Sequence, residues 1–151
     1  MNQLLGEFPC SVDAKGRLRL PAKLLEQLPG DERDDYVVNR GLDKCLWLFP
    51  KKVWDEKSAQ VSQLNDFDER ARLFKQAFYR GATPLKRDSA DRLNFPNQLL
   101  KWAGIEDGEV VLSALNDKVE VWSLKEYEAK LNTELDMNSL AQEVLGNKKD
   151  G

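Results

Sequence analysis

One short pattern occurs twice in this chain, and an internal repeat limits the possible folds more than any other feature does. Asp13-Ala14-Lys15-Gly16-Arg17-Leu18-Arg19-Leu20-Pro21 returns as Asp88-Ser89-Ala90-Asp91-Arg92-Leu93-Asn94-Phe95-Pro96. The register runs past both prolines, where Leu24-Leu25 match Leu99-Leu100. Val37-Val38 and Leu46-Trp47-Leu48-Phe49 come back as Val110-Val111 and Val119-Glu120-Val121-Trp122, with a two-residue deletion between, and Trp54 has an aromatic counterpart in Tyr127. Such a duplication implies two similar half-units in one chain, and 151 residues with 41% hydrophobic content suffice for a shared core.

The first nonamer can be read from local physics. Asp13 followed three residues later by Gly16 is turn chemistry, because the carboxylate bonds nearby backbone N–H groups and Gly accepts a positive φ. Alternation follows. Leu18 and Leu20 share one face of a strand, and Lys15, Arg17 and Arg19 share the other. Pro21 then suits the first turn of a helix over Ala22 to Leu28, with Leu24, Leu25 and Leu28 on its apolar stripe. Residues 12–23 carry Lys15, Arg17, Arg19 and Lys23 against Asp13 alone, in a chain whose net charge is −3. Most charged strand faces are merely solvated. A cationic patch on an acidic body points instead to a polyanion met at one place.

These paired D-x-x-G-R-type elements, each followed by an apolar alternation and Pro, resemble the MraZ family of bacterial transcriptional regulators. The likeness runs from Gly6-Glu7-Phe8 through Trp122 and includes Cys45 to Pro50 with Trp54, Phe78 to Ala82, and Trp102-Ala103-Gly104-Ile105. The resemblance implies an α+β fold: two pseudo-symmetric AbrB-type (SpoVT-AbrB-like) swapped-hairpin half-units forming a small β-barrel, with helices around it. It also implies sequence-specific binding to double-stranded promoter DNA of the division and cell-wall gene cluster, assembly into a ring-shaped homo-oligomer, and a cytoplasmic, nucleoid-associated location. Repeats are expected at 7–53 and 82–125, with linking helices at 54–81 and a C-terminal helix and mobile tail at 126–151.

The second copy departs from the pattern at Asp91, where the family has a second Gly, and residues 87–98 balance Arg87 and Arg92 against Asp88 and Asp91. Asp tolerates the left-handed region better than most residues, so the turn is expected to survive. DNA contact is therefore assigned mainly to Lys15, Arg17 and Arg19, with Arg92 as a lesser contributor. Asp13, Gly16 and Asp88 are expected to form the turns.

Elsewhere, strands are expected around Cys10 to Val12, Tyr36 to Arg40, Cys45 to Phe49, Val110 to Ala114 and Lys118 to Trp122, with hairpin tips at Asp43-Lys44 and Asn116-Asp117. Helices are expected over Lys52 to Leu64, from a capping box at Asp66-Phe67-Asp68-Glu69 to Arg80, where Gly81 and Pro84 stop it, from Leu124, capped by Ser123, to about Leu131, and over Leu140 to Leu145. The second of these has a basic face of Arg70, Arg72, Lys75 and Arg80, which is more often solvated or paired than functional.

Other classes fit poorly. The sequence has no His, which excludes His-based triads and His-containing zinc sites, and it contains neither G-x-x-x-x-G-K-[ST] nor G-x-G-x-x-G. Two Asp residues in related turns resemble the logic of an aspartic peptidase, but the Asp-Thr/Ser-Gly sequence is absent, and Arg17 would keep a nearby carboxylate ionised. No enzymatic activity, cofactor, metal or small-molecule substrate is expected. No apolar run reaches membrane-spanning length, and nothing near Met1 reads as a leader. Cys10 and Cys45 are expected as free thiols. The alternative within the same fold is an oligomeric scaffold with weakened or lost DNA binding.

Overall fold

The computed structural model describes residues 3–106, 108–131 and 135–146. In the first half, strand β1 (Leu4–Ser11) leads through a turn to β2 (Arg17–Arg19), then to helix α1 (Ala22–Leu25), a 3-10 turn (Gly30–Glu32), β3 (Asp35–Arg40), β4 (Leu46–Pro50), α2 (Lys51–Ser62) and α3 (Glu69–Tyr79). The second half runs β5 (Thr83–Lys86), β6 (Arg92–Asn94), α4 (Asn97–Trp102), β7 (Glu109–Asn116), β8 (Val119–Ser123), α5 (Leu124–Leu131) and α6 (Met137–Gly146). Except for the 3-10 turn, the order in the first half is repeated element for element in the second. The fold is α+β.

Six strands form one antiparallel sheet in the order β1-β7-β8-β4-β3-β5, and β2 pairs with β6 in a separate ribbon. Exchanging each strand for its repeat partner returns the same order read backwards, so the sheet has an internal twofold. The halves also exchange strands. The first half's β1 pairs with the second half's β7, and β5 of the second pairs with β3 of the first. Register corrects one sequence alignment. Tyr36 faces Leu85 as Val110 faces Cys10, so Val37 corresponds to Val111 rather than Val110. The two-residue deletion is accordingly divided, with one residue lost before β7 and one at the hairpin tip.

The barrel expected from the resemblance is not closed by strand pairing: β1 and β5 stand at opposite ends of the sheet and do not pair with each other. Each instead turns out of the sheet into the ribbon, with a bridge between Val12 and Leu18 marking the first departure. The outer edge of β1 is covered by a side chain. Gln27 Oε1 accepts from the Leu5 N–H at 2.8 Å, while Gln27 Nε2 donates to the Leu5 carbonyl at 2.9 Å, replacing a strand. Pro9 and Pro84 lie in these two edge strands, where a missing N–H is tolerated. Pro84 also hid β5 from the sequence reading, which took it as a helix stop.

Leu18 and Leu93, the central residues of the ribbon, face each other and are both 0% exposed. They enter a core with Leu46, Leu48, Leu112 and Val121. Burying a Leu side chain is worth about 1.5–3 kcal/mol, so the ribbon is anchored from beneath. A second apolar cluster joins Val37, Phe49 and Trp54, and Trp54 stacks on Phe78 of α3 at 5.1 Å. Buried Asn39 donates to the Phe78 carbonyl, fixing α3 against β3. The helix α1 is shorter than the span expected to Leu28. Among the described residues, no helix is long and apolar enough to cross a membrane. Asn147 to Gly151, most of the expected polar tail, lie outside the described residues.

Candidate nucleic-acid interface

The first turn is assembled around one carboxylate. Gly16 N donates to the Asp13 carbonyl and Asp13 N to the Arg17 carbonyl, each at 2.9 Å, with Gly16 at φ +86°. Asp13 Oδ1 accepts from the N–H groups of Lys15 and Arg17, both at 2.9 Å, and Oδ2 accepts from Arg17 Nε at 2.8 Å. The backbone N–H of Arg17 is the leading reason the Asp13 carboxyl sits below the usual carboxylate range. Asp13 thus bonds the backbone of its own turn and also holds the Arg17 side chain. The Arg17 side chain remains 32% exposed, and among the described residues neither of its Nη atoms has a partner.

The second turn repeats this bond for bond. Asp88 Oδ1 accepts from Ala90 N and Arg92 N, and Oδ2 from Arg92 Nε, all at 2.9 Å. Its carboxyl is likewise held low, first by the Arg92 backbone N–H. Asp91 takes the place of Gly16 at φ +61°, so the turn survives the substitution. Two depressed carboxyls, each saturated by its own turn, are the opposite of a proton-sharing catalytic pair.

Asp91 is not a loose negative charge. Arg87 Nη1 bonds its carboxylate at 2.5 Å, Arg87 Nη2 bonds Asp34 at 2.7 Å, and Arg87 Nε donates to the Arg33 carbonyl at 2.8 Å. In the first half Val12 and Gly16 occupy the positions of Arg87 and Asp91, so neither charged member of that contact has a counterpart.

Pairing of β2 with β6 brings the two motifs together. Arg17 lies opposite Asn94, Leu18 opposite Leu93, and Arg19 opposite Arg92. Since the leucines face the core, Arg17, Arg19, Arg92 and Asn94 share the outer face of one ribbon, with Lys15 in the first turn beside it. Arg19 Nε also donates to the Ala90 carbonyl at 3.1 Å, linking the first strand to the second turn. All four cations assigned from sequence thus belong to the ribbon and its turns. Asn94 and the Arg87–Asp34 clamp were missed. Asn94 breaks the cationic alternation, and Asp34 is remote in sequence from the turn it supports.

Two of the four cations of the other basic face, Arg72 and Lys75, are tied down. Asp68, not Asp66, caps α3 by accepting from Arg70 N and Ala71 N. Asp66 instead takes Lys75 at 2.8 Å, and its carbonyl takes Arg72 Nη1. Both cysteines are free; Cys45 is fully buried, and burial is the leading cause pushing its thiol up to about 12.

A family model described as MraZ protein matches this chain twice, over residues 4–77 and 78–146. A protein from Christiangramia forsetii named Transcriptional regulator MraZ is 37% identical over 149 residues, covering 97% of this chain and 96% of its own length. Proteins of the same name from Cytophaga hutchinsonii and Flavobacterium psychrophilum are 36% and 33% identical, covering 78% and 99% of this chain and 78% and 96% of their own lengths. The family model falls once on each half, in agreement with the internal twofold of the fold, and the chain belongs to the MraZ family.

Proposed function

We propose that this chain is a sequence-specific DNA-binding transcriptional regulator that meets the major groove with the β2–β6 ribbon. The observation that carries the reading is the placement of Arg17, Arg19 and Arg92 on one outward ribbon face, with Lys15 beside it. A two-stranded ribbon is one of the two elements a major groove admits. Lys15, a compact charge in the turn, serves as a phosphate anchor; Arg17 and Arg19 read guanine, whose two acceptors suit a guanidinium. The bond from Arg17 Nε to Asp13 pre-orients the guanidinium, so less conformational freedom is lost on binding. Arg92 is a lesser contact beside the Asp91 carboxylate.

Three or four phosphate-facing cations per chain bind weakly at physiological salt. The family likeness supports a ring-shaped homo-oligomer that presents several ribbons to successive promoter repeats, raising avidity without a new kind of contact. Its target in this reading is the promoter of the division and cell-wall gene cluster, and its location the cytoplasm and nucleoid. The repeats proper are read as 7–53 and 82–125.

Mobility-shift titration on the protein's own promoter region tests this. Arg17→Ala should lower specific affinity by about 5- to 150-fold, since each bidentate base contact is worth roughly 1–3 kcal/mol. The oligomer should stay intact, and Arg92→Ala should be milder. Equal affinity of wild type and Arg17→Ala would sink the assignment.

A further inference from the structure

We infer that Asn94 is a base-reading residue, its side-chain amide meeting an adenine edge, and that the two ends of the ribbon consequently read different bases. The inference rests on the DNA-binding reading above. Under the internal twofold, the Arg17–Asn94 pair corresponds to the Arg92–Arg19 pair, so Asn94 stands where the other end has an arginine. The two side chains behave differently. Arg19 folds onto its turn through the Ala90 carbonyl. Asn94 lies over the first turn, its Oδ1 3.3 Å from where a Cβ on Gly16 would be, and its amide makes no side-chain hydrogen bond among the described residues.

Chemistry then selects the base. Arginine carries donors only and matches guanine N7 and O6. A carboxamide presents one acceptor and a donor group, matching the N6 amino group and N7 of adenine. The surroundings favour a base edge over a phosphate. An open recess of about 700 Å³ beside the turn is lined by Lys15, Gly16, Asn94 and Asn97 but also by Asp13 and Glu106. That mixed lining does not single out an anion, and the uncharged Asn94 amide, with both a donor and an acceptor, suits a base edge better than a phosphate. Nor is Asn favoured as a strand residue. Its place opposite Arg17, in the register that directs both outward, is where a base contact requires it.

Wild type, Asn94→Ala and Asn94→Arg are compared by selection from a randomised duplex library and by competitive titration on single-base variants of the best wild-type site. Asn94→Ala should weaken that site by about 5- to 150-fold, the equivalent of one bidentate pair, and flatten preference at one adenine. Its affinity for random duplex should not change. Asn94→Arg should move preference at the same position toward guanine. Retained adenine preference in Asn94→Ala, or a uniform loss on every sequence, would overturn the inference while leaving the DNA-binding reading in place. Failure of wild type to bind any duplex at low salt would instead sink that reading. Asn94 is exposed, so both variants should keep the wild-type melting temperature.

Discussion

Replacing Gly16 by Ala should damage the protein far more than so small a change suggests. Gly16 has φ +86°, a conformation that costs an L-residue about 1–2 kcal/mol. A Cβ there would lie 2.9 Å from the Phe95 carbonyl oxygen, 3.3 Å from Asn94 Oδ1 and 3.5 Å from Leu100 Cδ1. Phe95 O cannot swing aside as a side chain would, because Phe95 N donates to the Gly16 carbonyl at 2.8 Å and holds the two segments together. Relieving the overlap must therefore shift the end of β6, adding roughly 1–2 kcal/mol by comparison with overpacked cores. The total, about 2–4 kcal/mol, corresponds to a fall of roughly 4–16 °C in melting temperature for a chain of this size. Asp91→Ala is the control. It already carries a Cβ at the equivalent left-handed position, so it adds no overlap; it loses a partly exposed ion pair and the left-handed tolerance of Asp, for about 1 kcal/mol. Urea titration of both variants decides the matter. If Gly16→Ala unfolds within about 0.5 kcal/mol of wild type, well inside ordinary surface effects, the close approach of turn and ribbon does not constrain the fold as described.

Two further outcomes are expected. Arg87→Met should destabilise by about 1 kcal/mol, and a double-mutant cycle with Asp91→Ser should give a coupling above about 0.3 kcal/mol; additivity would show that the clamp does not support the second turn. The second concerns pH. The Asp13 and Asp88 carboxyls are depressed in the folded protein, so the stability they confer is present above their unfolded value, near about 3.9, and is lost as pH falls through the lower folded value. With no His in the chain, melting temperature and DNA affinity should both be flat from about pH 8 to about pH 5; a transition near pH 6–7 would contradict the role given to these carboxylates.

The repeat made the pseudo-symmetric plan legible, because matched turn, strand and hairpin signals in two places can satisfy one core only if they are related in space. Turn chemistry was equally local: Asp13 and Asp88 act within four residues, so their partners are written beside them. Strand exchange is a different matter. Nothing in Leu4 to Ser11 states that its partner is Glu109 to Asn116, since that pairing spans about a hundred residues and is fixed only when the sheet is packed. The same holds for the site. Arg17 and Arg19 declare one face of a strand, but their alignment with Asn94 and Arg92 follows from a ribbon pairing that no local signal specifies. Asp34 reaches Asp91 only through Arg87, a contact set by the packing of β3 on β5.

Covalent fusion of the two halves explains why the ribbon differs at its ends. In a symmetric dimer every substitution appears twice, so an Asn in place of one arginine would remove both, and an Asp at the left-handed turn position would enter both turns. Here each change is confined to one half. In the second turn Arg87, in the place of Val12, holds the Asp91 carboxylate, while in the first turn Gly16 lies tight against Phe95. Asn94 stands over the first turn, where its counterpart Arg19 at the other end bonds the second. In the DNA-binding reading proposed above, the two ends of the ribbon, related by the internal twofold, offer a duplex non-equivalent chemistries, and such a surface can distinguish the two directions of the duplex where a strictly twofold one could not.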